Sequence, residues 1–585
     1  MIWSTVILGL LGLLGLYLAD RLRDLFKHVR VAQRSGLPYV VSVFSPGIVS
    51  MAFFDTPWFS YLVENWFPAR LADVVYDTLI NYRWRARDRQ ARRYGDVYLL
   101  VFPGGIFCSV SDAAVVSQIV NSRQSFTKPV HQYAVLDMYG PNVVTCEDAE
   151  WTHHRRYTAT TFNEKNNALV WEQAIKQSQQ LIEYWHEPRP NETSDSFVAT
   201  DTRQDTLKLS LNVLTGAGFG VDLPFKPLPQ HLLKGPDDIF KDSTPPPAGF
   251  DFTFRSVMSY MNEHISTVAI ANNLLPKWIP RGLVPFFRRD FAAHRDLEVY
   301  LQRLVDKTER ELEDTDTAHH LVQGMLNPRK SQDQQTLTDR EVISNLHIIT
   351  IAGHETTATT LRFAFLLLAL HPDVQEWMYE GLAASTKGES SDAGTWDYGT
   401  MFPKLVTPLC VMLETMRLYP PVVTVPKWTG DSARKIRYRE EDYVLEPRLN
   451  INLNASSLHH SEKYWGSDVG LFRPQRWDVR NEDSFLAKNA GLPGVSAPGL
   501  EYPTIHKPVR GAYIPFSDGM RACLGKKFAQ VEFVVALAVI FKDYRVELAD
   551  DSKEGIQEAE RSLRECTSIL TLALRRNIPL RFRKR

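Results

Sequence analysis

Residues 516–525 of this chain read FSDGMRACLG, and this stretch decides the fold that the sequence predicts. It fits the pattern F-x-x-G-x-R-x-C-x-G, whose five fixed positions would coincide by chance in roughly one chain of this length in ten thousand. Gly519 permits a tight turn that a side chain would block, and Phe516 can shield a neighbouring sulfur. Cys523 stands just before an apolar helix, whose N-terminal amides can stabilise a thiolate. Arg521, in the same loop, can pair with a carboxylate.

The other cysteines give no sign of a cross-linked framework. The chain has five in all, Cys108, Cys146, Cys410, Cys523 and Cys566. Their number is odd, they are far apart and no C-x-x-C pair occurs, so neither disulfides nor a zinc site are expected, and a reducing compartment fits better. A free cysteine is most often a small buried hydrophobe, but the pattern around Cys523 favours a ligand. The formal net charge of −1 gives no general attraction to nucleic acid.

A second candidate site lies on a predicted long helix that opens with a capping box, Thr338 followed three residues later by Glu341. Midway along this helix, residues 352–357 read AGHETT. An acid and a hydroxyl side by side on a helix more often belong to a solvated face. Here the apolar runs at 348–351 and 363–370 indicate that the helix is buried.

These two segments together resemble the cytochrome P450 superfamily. In that family the cysteine of the first segment is the proximal thiolate of haem b, which makes Cys523 the expected ligand of the iron. A thiolate ligand favours cleavage of the O–O bond over reversible oxygen binding. The second segment is similar to the family's A/G-G-x-D/E-T-T/S, which implies that Glu355 and Thr356 carry and orient the protons needed to split dioxygen. Gly353 is then expected to leave room for dioxygen above the iron.

Two weaker matches imply a structural ion network. Glu414 and Arg417 fit E-x-x-R on a predicted helix followed by LYPP, and residues 472–477 read FRPQRW, similar to the family's F-x-P-x-R-W segment. The resemblance makes Arg476 the third member of a Glu–Arg–Arg network that supports the haem-binding core and does no chemistry. On its own, an i,i+3 pair on a helix surface would contribute only about a few tenths of a kcal/mol.

A further match, W-x-x-x-R at Trp151 and Arg155, implies contacts with a haem propionate. Lys427 stands where many members of the family carry another propionate-binding arginine, and a lysine cannot make a bidentate contact. The sequence also departs from the family's pattern at Gln475, where an acid is common, and in the long segment 481–513. The resemblance thus assigns haem binding to Trp151, Arg155, Lys427, Phe516, Gly519, Arg521 and Cys523.

The motifs occur in the family's order and predict a mainly α fold with a small β region, the cytochrome P450 fold, over residues 71–585. Ahead of it, residues 2–19 carry no charge and are followed by several basic residues. At about 1.5 Å per residue, such a helix just spans a hydrocarbon core. We therefore expect a transmembrane signal-anchor over residues 1–20, a single pass through the endoplasmic reticulum membrane and a cytoplasmic catalytic domain. A cleaved signal peptide is the alternative, but its basic residues would precede the apolar run.

Residues 21–70 read as a membrane-proximal linker interrupted by prolines. The sequence leaves open whether its aromatic residues rest at the lipid interface or pack on the globular domain. These residues are Phe53, Phe54, Trp58, Phe59, Trp66 and Phe67.

Hydrophobic periodicity predicts helices and few strands in the body of the chain. The predicted helices include 206–216, 291–312, 338–370, 403–418 and 524–541, and the strands include 96–101 and 450–453. Segments rich in proline and polar residues are predicted to be surface loops at 187–201, 226–249, 385–398 and 486–507.

The resemblance implies the insertion of one oxygen atom from dioxygen into an organic substrate. No flavin-binding or iron–sulfur motif occurs in the chain, so electrons are expected from NADPH through a separate membrane-bound flavoprotein, the NADPH–cytochrome P450 reductase. The nearer alternative is a haem-thiolate isomerase or dehydratase that acts on a peroxide without external electrons, and the more distant one is a non-catalytic haem-binding protein. Glu355 and Thr356 favour the monooxygenase. The motifs are similar to those of fungal microsomal members, many of which act in secondary metabolism.

Two surfaces follow from this interpretation. Substrate walls are expected after Phe126, at 250–275, at 422–425 and along the long helix, and their apolar composition predicts a hydrophobic substrate such as a terpenoid, steroid, fatty acyl chain or polyketide. Around the cysteine loop, a basic rim is expected to face outward and to steer an acidic reductase surface toward the haem. Its members are Arg156, Arg510, Lys526 and Lys527.

Overall fold

Long helices and one five-stranded sheet form the body of the protein. The structure is a computed structural model that describes residues 2–42, 56–79, 83–186, 195–233, 235–275, 278, 281, 284–314, 320–331, 336–479, 505–568 and 570–585. The mainly α fold with a small β region is confirmed. Within the described ranges, the helices of nine or more residues are Ile2–Ser35, Pro57–Asn65, Ala69–Thr78, Ala113–Asn121, Asp148–Ala159, Glu164–Trp185, Thr202–Phe219, Phe254–Glu263, Arg288–Asp314, Asp339–Leu370, Pro372–Ser385, Val406–Leu418, Lys526–Phe541 and Lys553–Arg564.

The sheets join parts of the chain that are far apart in sequence. In the five-stranded sheet the strands lie in the order Tyr39–Val41, Val97–Phe102, Gly105–Val110, Asn450–Asn454 and Thr424–Trp428. A three-stranded sheet has the order Tyr544–Leu548, Leu580–Lys584 and Ser196–Ala199. Two-stranded pairs are formed by Leu228–Pro229 with Ser243–Thr244, by Arg434–Tyr438 with Glu441–Leu445 and by Thr567–Ser568 with Leu572–Ala573.

The capping box predicted the start of the longest buried helix to within one residue. The Thr338 hydroxyl accepts from the amide of Glu341, and the Glu341 carboxylate accepts from the amide of Thr338 at 2.8 Å, so the helix begins at Asp339. By contrast, the prediction of a loop throughout 187–201 was wrong for Ser196–Ala199, which forms a strand. Phe197 and Ala199 are buried against the C-terminal strand, and this long-range pairing outweighs the polar composition of the segment.

The N-terminal helix extends beyond the predicted anchor. It runs from Ile2 to Ser35, because the basic stretch after residue 20 consists mainly of good helix formers and the first breakers are Gly36 and Pro38. The predicted linker therefore starts inside a helix, whose second half packs against the five-stranded sheet and buries Ala32 completely. Of the helices that the structure describes, none has the length and apolarity needed to cross a membrane.

The aromatic residues of the predicted linker divide between the two interpretations. Phe59 is buried in the contact between the Pro57–Asn65 and Ala69–Thr78 helices, whereas Trp58 and Trp66 are 61% and 72% exposed. Phe53 and Phe54 lie outside the described residues. Packing on the protein thus accounts for Phe59, whereas the exposed indole rings of Trp58 and Trp66 are available to contact another surface.

The predicted Glu–Arg–Arg network forms in the core. Arg417 binds Glu414 through two hydrogen bonds of 2.8 Å each, and Arg476 donates to the same carboxylate at 3.0 Å. All three side chains are fully buried. Burial alone would raise the pKa of Glu414, but the two guanidinium groups hold it at about 2. The network is therefore a buried ion cluster, in which Asp468 supplies a second carboxylate to Arg476 at 3.2 Å, and not the weak surface pair that E-x-x-R alone predicts.

We expect Glu414→Gln to lower the free energy of unfolding by about 3–5 kcal/mol, because it removes the carboxylate that two buried guanidinium groups share. Arg476 keeps its second ion pair, with Asp468 at 3.2 Å. Glu560→Gln is the matched control, since Glu560 pairs with Arg564 across 3.4 Å at an exposed site and should change stability by less than about 0.5 kcal/mol. Thermal and urea unfolding at pH 6 and pH 8 measure both. The loss of stability should be the same at both pH values, because Glu414 is ionised at pH 6 and at pH 8. The stability that its ion pairs contribute is lost only as pH falls below 4.5 toward 2. A similar small effect of both variants would contradict the network's role.

Candidate active site

The cysteine loop is held in a turn that explains its glycine. The amide of Cys523 donates to the carbonyl of Phe516 at 2.9 Å and closes the loop. Gly519 has a φ of +68°, and a Cβ atom at this position would clash with the carbonyl oxygen of Val120. Of the five cysteines, Cys523 alone has an exposed residue surface. The loop thus presents one thiol and excludes any larger residue at Gly519.

The electrostatic environment of Cys523 suits a ligand whose proton is displaced by a metal. Although the residue has accessible surface, its thiol lies deep enough that burial raises its pKa. The backbone amide of Gly525 and the charges of Lys526 and Arg155 act in the opposite direction and stabilise the thiolate. A bound metal ion would complete this shift, because a coordinating thiol is deprotonated outright.

A cluster of cations surrounds the ring of Trp151. The guanidinium carbons of Arg123, Arg155 and Arg521 lie 3.8, 5.4 and 4.3 Å from the ring centroid. Arg521 also forms an ion pair with Glu147 and donates to the carbonyl of Cys146 at 2.6 Å. The structure therefore brings the predicted residues Trp151, Arg155 and Arg521 together.

Two lysines complete this cluster. The backbone of Thr127 pairs with that of Trp428 through hydrogen bonds of 3.0 and 2.8 Å, which places Lys128 near the buried Lys427. Burial, the charge of Arg521 and that of Lys427 lower the pKa of Lys128 to about 7. Burial also lowers the pKa of Lys427 to about 8 and that of Arg521 to about 9.

The cluster is short of negative charge. Among the described residues, Lys128, Lys427 and Arg155 have no carboxylate within 4 Å, and Glu147 is shared by Arg521 and Arg123. Like charges at such short range repel one another, so this arrangement is suited to an anion with more than one carboxylate. Together with the thiol of Cys523, these residues fit the two propionates and the iron of a haem.

The mid-helix segment presents small and polar residues on one side. Ala352 is exposed although it lies in a helix whose neighbouring isoleucines are buried. Thr356 donates to the carbonyl of Ala352 at 2.8 Å, and Glu355 accepts a hydrogen bond of 2.9 Å from the amide of Asn262. The residue that faces open space is therefore Ala352.

Gly353 has a packing role in the structure, and its expected role beside dioxygen stays a prediction. A Cβ atom at Gly353 would lie 3.2 Å from the side chain of Leu214 on the Thr202–Phe219 helix. The glycine thus allows two helices to approach closely.

A second group of potential ligands does not form a convincing metal site. The ligand atoms of Cys146, Glu150 and His154 lie within 4.8 Å of one another. However, Nδ1 of His154 is 2.8 Å from Nδ2 of Asn345, whose Oδ1 already accepts from the amide of Val143. The amide group must then donate to Nδ1, which leaves the proton of the neutral ring on Nε2. This tautomer offers no free lone pair to a metal ion.

Comparisons with known proteins agree with the fold and the motifs. The model of the family described as Cytochrome P450 matches residues 82–569, so the chain belongs to this family. A crystal structure of the cytochrome P450DA heme domain superposes with a TM-score of 0.60 at 18% identity, over 85% of this chain and 91% of that one, which supports the fold.

Several of the similar curated proteins are fungal monooxygenases. A cytochrome P450 monooxygenase of Arthrobotrys oligospora is 26% identical over 96% of each chain, and one of Penicillium rubens is 28% identical over 97% of this chain and 96% of its own. The phomenoic acid biosynthesis cluster cytochrome P450 monooxygenase of Leptosphaeria maculans is 25% identical over 77% and 76%. The protein is a cytochrome P450 monooxygenase, as the sequence predicted.

The sequence motifs missed Arg123 and Lys128, which belong to the cation cluster. Lys128 falls just after Phe126, where only a substrate wall was expected, and its approach to Lys427 depends on pairing between segments some 300 residues apart. The roles of the predicted site residues in binding and catalysis remain predictions.

We expect Lys128→Met to accelerate haem loss by at least about tenfold, because a charged hydrogen-bond donor to a buried carboxylate contributes about 1.5–3 kcal/mol. Transfer of haem to apomyoglobin measures the rate. Lys435→Met serves as control, since Lys435 is exposed and paired with Asp442. Equal rates in the two variants would show that the lysine does not contact the propionates.

Proposed function

We propose that this protein inserts one oxygen atom from dioxygen into a hydrophobic organic substrate and reduces the other to water, with electrons from NADPH through a separate flavoprotein reductase. The observation that carries the proposal is the mid-helix segment of the Asp339–Leu370 helix, where the exposed Ala352 is flanked by the carboxyl of Glu355 and the hydroxyl of Thr356. At about 100° per residue, these two side chains point to either side of Ala352. A reaction that needs protons beside an open space would use such an arrangement.

The chain's own residues would hold the cofactor and deliver protons. Cys523 would bind the iron of haem b through its thiolate, and Arg155, Arg521, Lys128 and Lys427 would bind the propionates. When bound, the haem supplies the iron at which electrons and dioxygen react. Beside it, the residues of the long helix move protons: Glu355 gives up a proton, and Thr356, whose hydroxyl oxygen retains lone pairs, orients its transfer.

Two alternatives use the same haem site. A haem-thiolate isomerase or dehydratase would rearrange a peroxide and would need no protons from Glu355 and no external electrons. A non-catalytic haem-binding protein would need neither an acid nor a hydroxyl beside the open space. The contact of Glu355 with Asn262 and its place beside Ala352 favour the monooxygenase.

We expect Thr356→Ala to retain haem but to divert NADPH oxidation into hydrogen peroxide, so that product per NADPH falls by at least about tenfold. The substrate for this measurement is an apolar ligand that shifts the Soret band in a binding screen. Thr360→Ala is the matched control, because Thr360 donates to the carbonyl of Thr356 at 2.7 Å in the same i−4 manner one turn later. Full product yield without NADPH or reductase would instead establish the isomerase.

The substrate is proposed to be an intermediate of fungal secondary metabolism. One relative is named for a biosynthesis cluster, that of phomenoic acid, and the relatives that cover most of the chain include several fungal monooxygenases. Where substrate walls were expected, Phe126 is buried and Val422 is 38% exposed. An exposed valine at this position supports a hydrophobic ligand.

We also propose that the reductase docks near the cysteine loop. Arg156 and Arg510 are exposed there, whereas Lys526 and Lys527 are half-buried over the rings of Phe516 and Phe402, at 5.8 and 4.5 Å. The exposed part of the predicted rim is thus its two arginines, of which Arg156 also lies over an aromatic ring, that of Tyr157, at 5.4 Å.

Replacing both Arg156 and Arg510 with Glu should lower reductase-supported NADPH oxidation about tenfold at low salt and weaken its salt dependence, because steering by charge is lost. Turnover driven by added peroxide should barely change. Lys584→Glu, at an exposed position of the C-terminal strand, is the control for a general charge effect. Equal losses by both routes would mean that the haem site is damaged and that these arginines are not a docking surface.

Attachment to the endoplasmic reticulum membrane through the N-terminal segment is a further part of the proposal. Its support is the uncharged stretch 2–19, the basic residues that follow it, and the exposed rings of Trp58, Tyr61 and Trp66. Indole and phenol rings settle at the interface between lipid and water, so the aromatic side chains would add a second contact.

Deleting residues 1–20 should release much of the protein from membranes while the haem spectrum is retained, since Ala32 and the packed half of the helix remain. Adding Trp58→Ser and Trp66→Ser should release most of the rest. Flotation with phospholipid vesicles measures the bound fraction, with Trp428→Ser, in the central sheet, as a control. A secreted chain that begins near residue 20 would establish a cleaved signal peptide instead.

A further inference from the structure

A small cavity lined by several polar residues opens beside the middle of the Asp339–Leu370 helix. Its volume of about 50 Å³ gives room for roughly three or four water molecules. Three helices supply its polar lining, which includes Arg203, Ser259, Asn262, Glu355 and Thr359. The acid proposed to deliver protons therefore faces a space that water can fill.

The charged groups around this cavity are already engaged elsewhere. Arg203 pairs with Glu263 at 3.1 Å, and Arg362 donates to the carbonyls of Leu574 and Arg576 at 3.0 and 2.6 Å. His354 binds the carbonyl of Thr350 at 2.7 Å, and burial lowers its pKa, so it is neutral at pH 7. None of these described groups forms an ion pair with Glu355, and its hydrogen-bond partner is the uncharged amide of Asn262.

An amide can serve a carboxyl group in both of its protonation states. Nδ2 of Asn262 donates to Oε2 of Glu355 at 2.9 Å, which suits the carboxylate. Oδ1 of Asn262 is buried and has no hydrogen-bond partner among the described residues, and it is free to accept from the O–H of the protonated acid. An arginine or lysine in this place would favour the carboxylate alone and would hinder its reprotonation.

We propose that Asn262 is a positioning residue that holds Glu355 at the mouth of the cavity in both protonation states, and that water in the cavity returns the proton that Glu355 gives up. The inference rests on the proposed role of Glu355 as proton donor. Each proton delivered leaves a carboxylate, which takes one proton from a water molecule connected to bulk solvent. No group is oxidised or reduced in this exchange.

Infrared spectroscopy tests the contact without relying on activity. The C=O stretching band of protonated Glu355 is identified by its loss in Glu355→Gln. In Asn262→Leu this band should shift to higher wavenumber, because the acid has lost its hydrogen-bond acceptor. In Asn262→Gln, which keeps an amide, the shift should be smaller, and in Asn272→Leu it should be absent, since Asn272 binds the carbonyl of Val268. An unchanged band in Asn262→Leu overturns the inference.

Proton delivery is measured by NADPH oxidation with reductase in the absence of added substrate. Asn262→Leu should slow it about tenfold and increase the solvent deuterium isotope effect, whereas Asn262→Gln should recover at least half of the rate. The thiolate Soret band under carbon monoxide confirms that each variant is folded. If Glu355→Gln leaves the rate unchanged, the proposed role of Glu355 fails, and with it the inference. If Glu355→Gln slows the reaction and Asn262→Leu does not, the inference alone fails.

Discussion

A buried carboxylate held between two arginines supports the loop that carries the reactive cysteine. The carboxylate of Glu414 accepts from the indole of Trp477 at 2.9 Å, and the ring of Trp477 lies 4.8 Å from that of Tyr513. The hydroxyl of Tyr513 donates back to the carbonyl of Leu413 at 2.9 Å, in the same helix as Glu414. Three residues after Tyr513 the cysteine loop begins at Phe516. A network that does no chemistry thus determines where the thiol stands.

The opposite electrostatic design surrounds Trp151. In the ion network each buried guanidinium group is paired with the carboxylate of Glu414. Near the cysteine loop, burial lowers the pKa values of Lys128 and Arg521, and the charges of neighbouring cations lower them further. Such a cluster lowers the stability of the folded protein when no anion is bound, and a bound dianion raises it. Cofactor binding and stability are therefore linked, and the cation cluster is the part of the site where this linkage is strongest.

Local patterns predicted the elements well, and contacts between distant segments could not be predicted. The start of the long helix follows from Thr338 and its neighbours within one turn, and the sharp turn at Gly519 follows from its own loop. In contrast, the contact between Asn262 and Glu355 joins two residues that lie 93 positions apart in the sequence, on different helices. The packing reason for Gly353 depends in the same way on Leu214. A single sequence gives the type of each side chain, but the contacts between distant side chains are known only from the folded structure.

Two carboxyl groups in the same core show that burial alone does not decide protonation. Glu414 and Glu532 are both fully buried. Two guanidinium groups hold the pKa of Glu414 at about 2, whereas burial raises the pKa of Glu532 to about 8, since its one described partner is the hydroxyl of Ser210 at 2.6 Å. At neutral pH the first is charged and the second is a neutral acid. For Glu532, the raised pKa means that the stability contributed by the bound proton is complete below the ordinary value of about 4.5 and is lost as pH rises through about 8. A buried carboxyl group in this core is thus charged where the fold places two arginines beside it, as at Glu414. It stays protonated where its described partner is a hydroxyl group, as at Glu532.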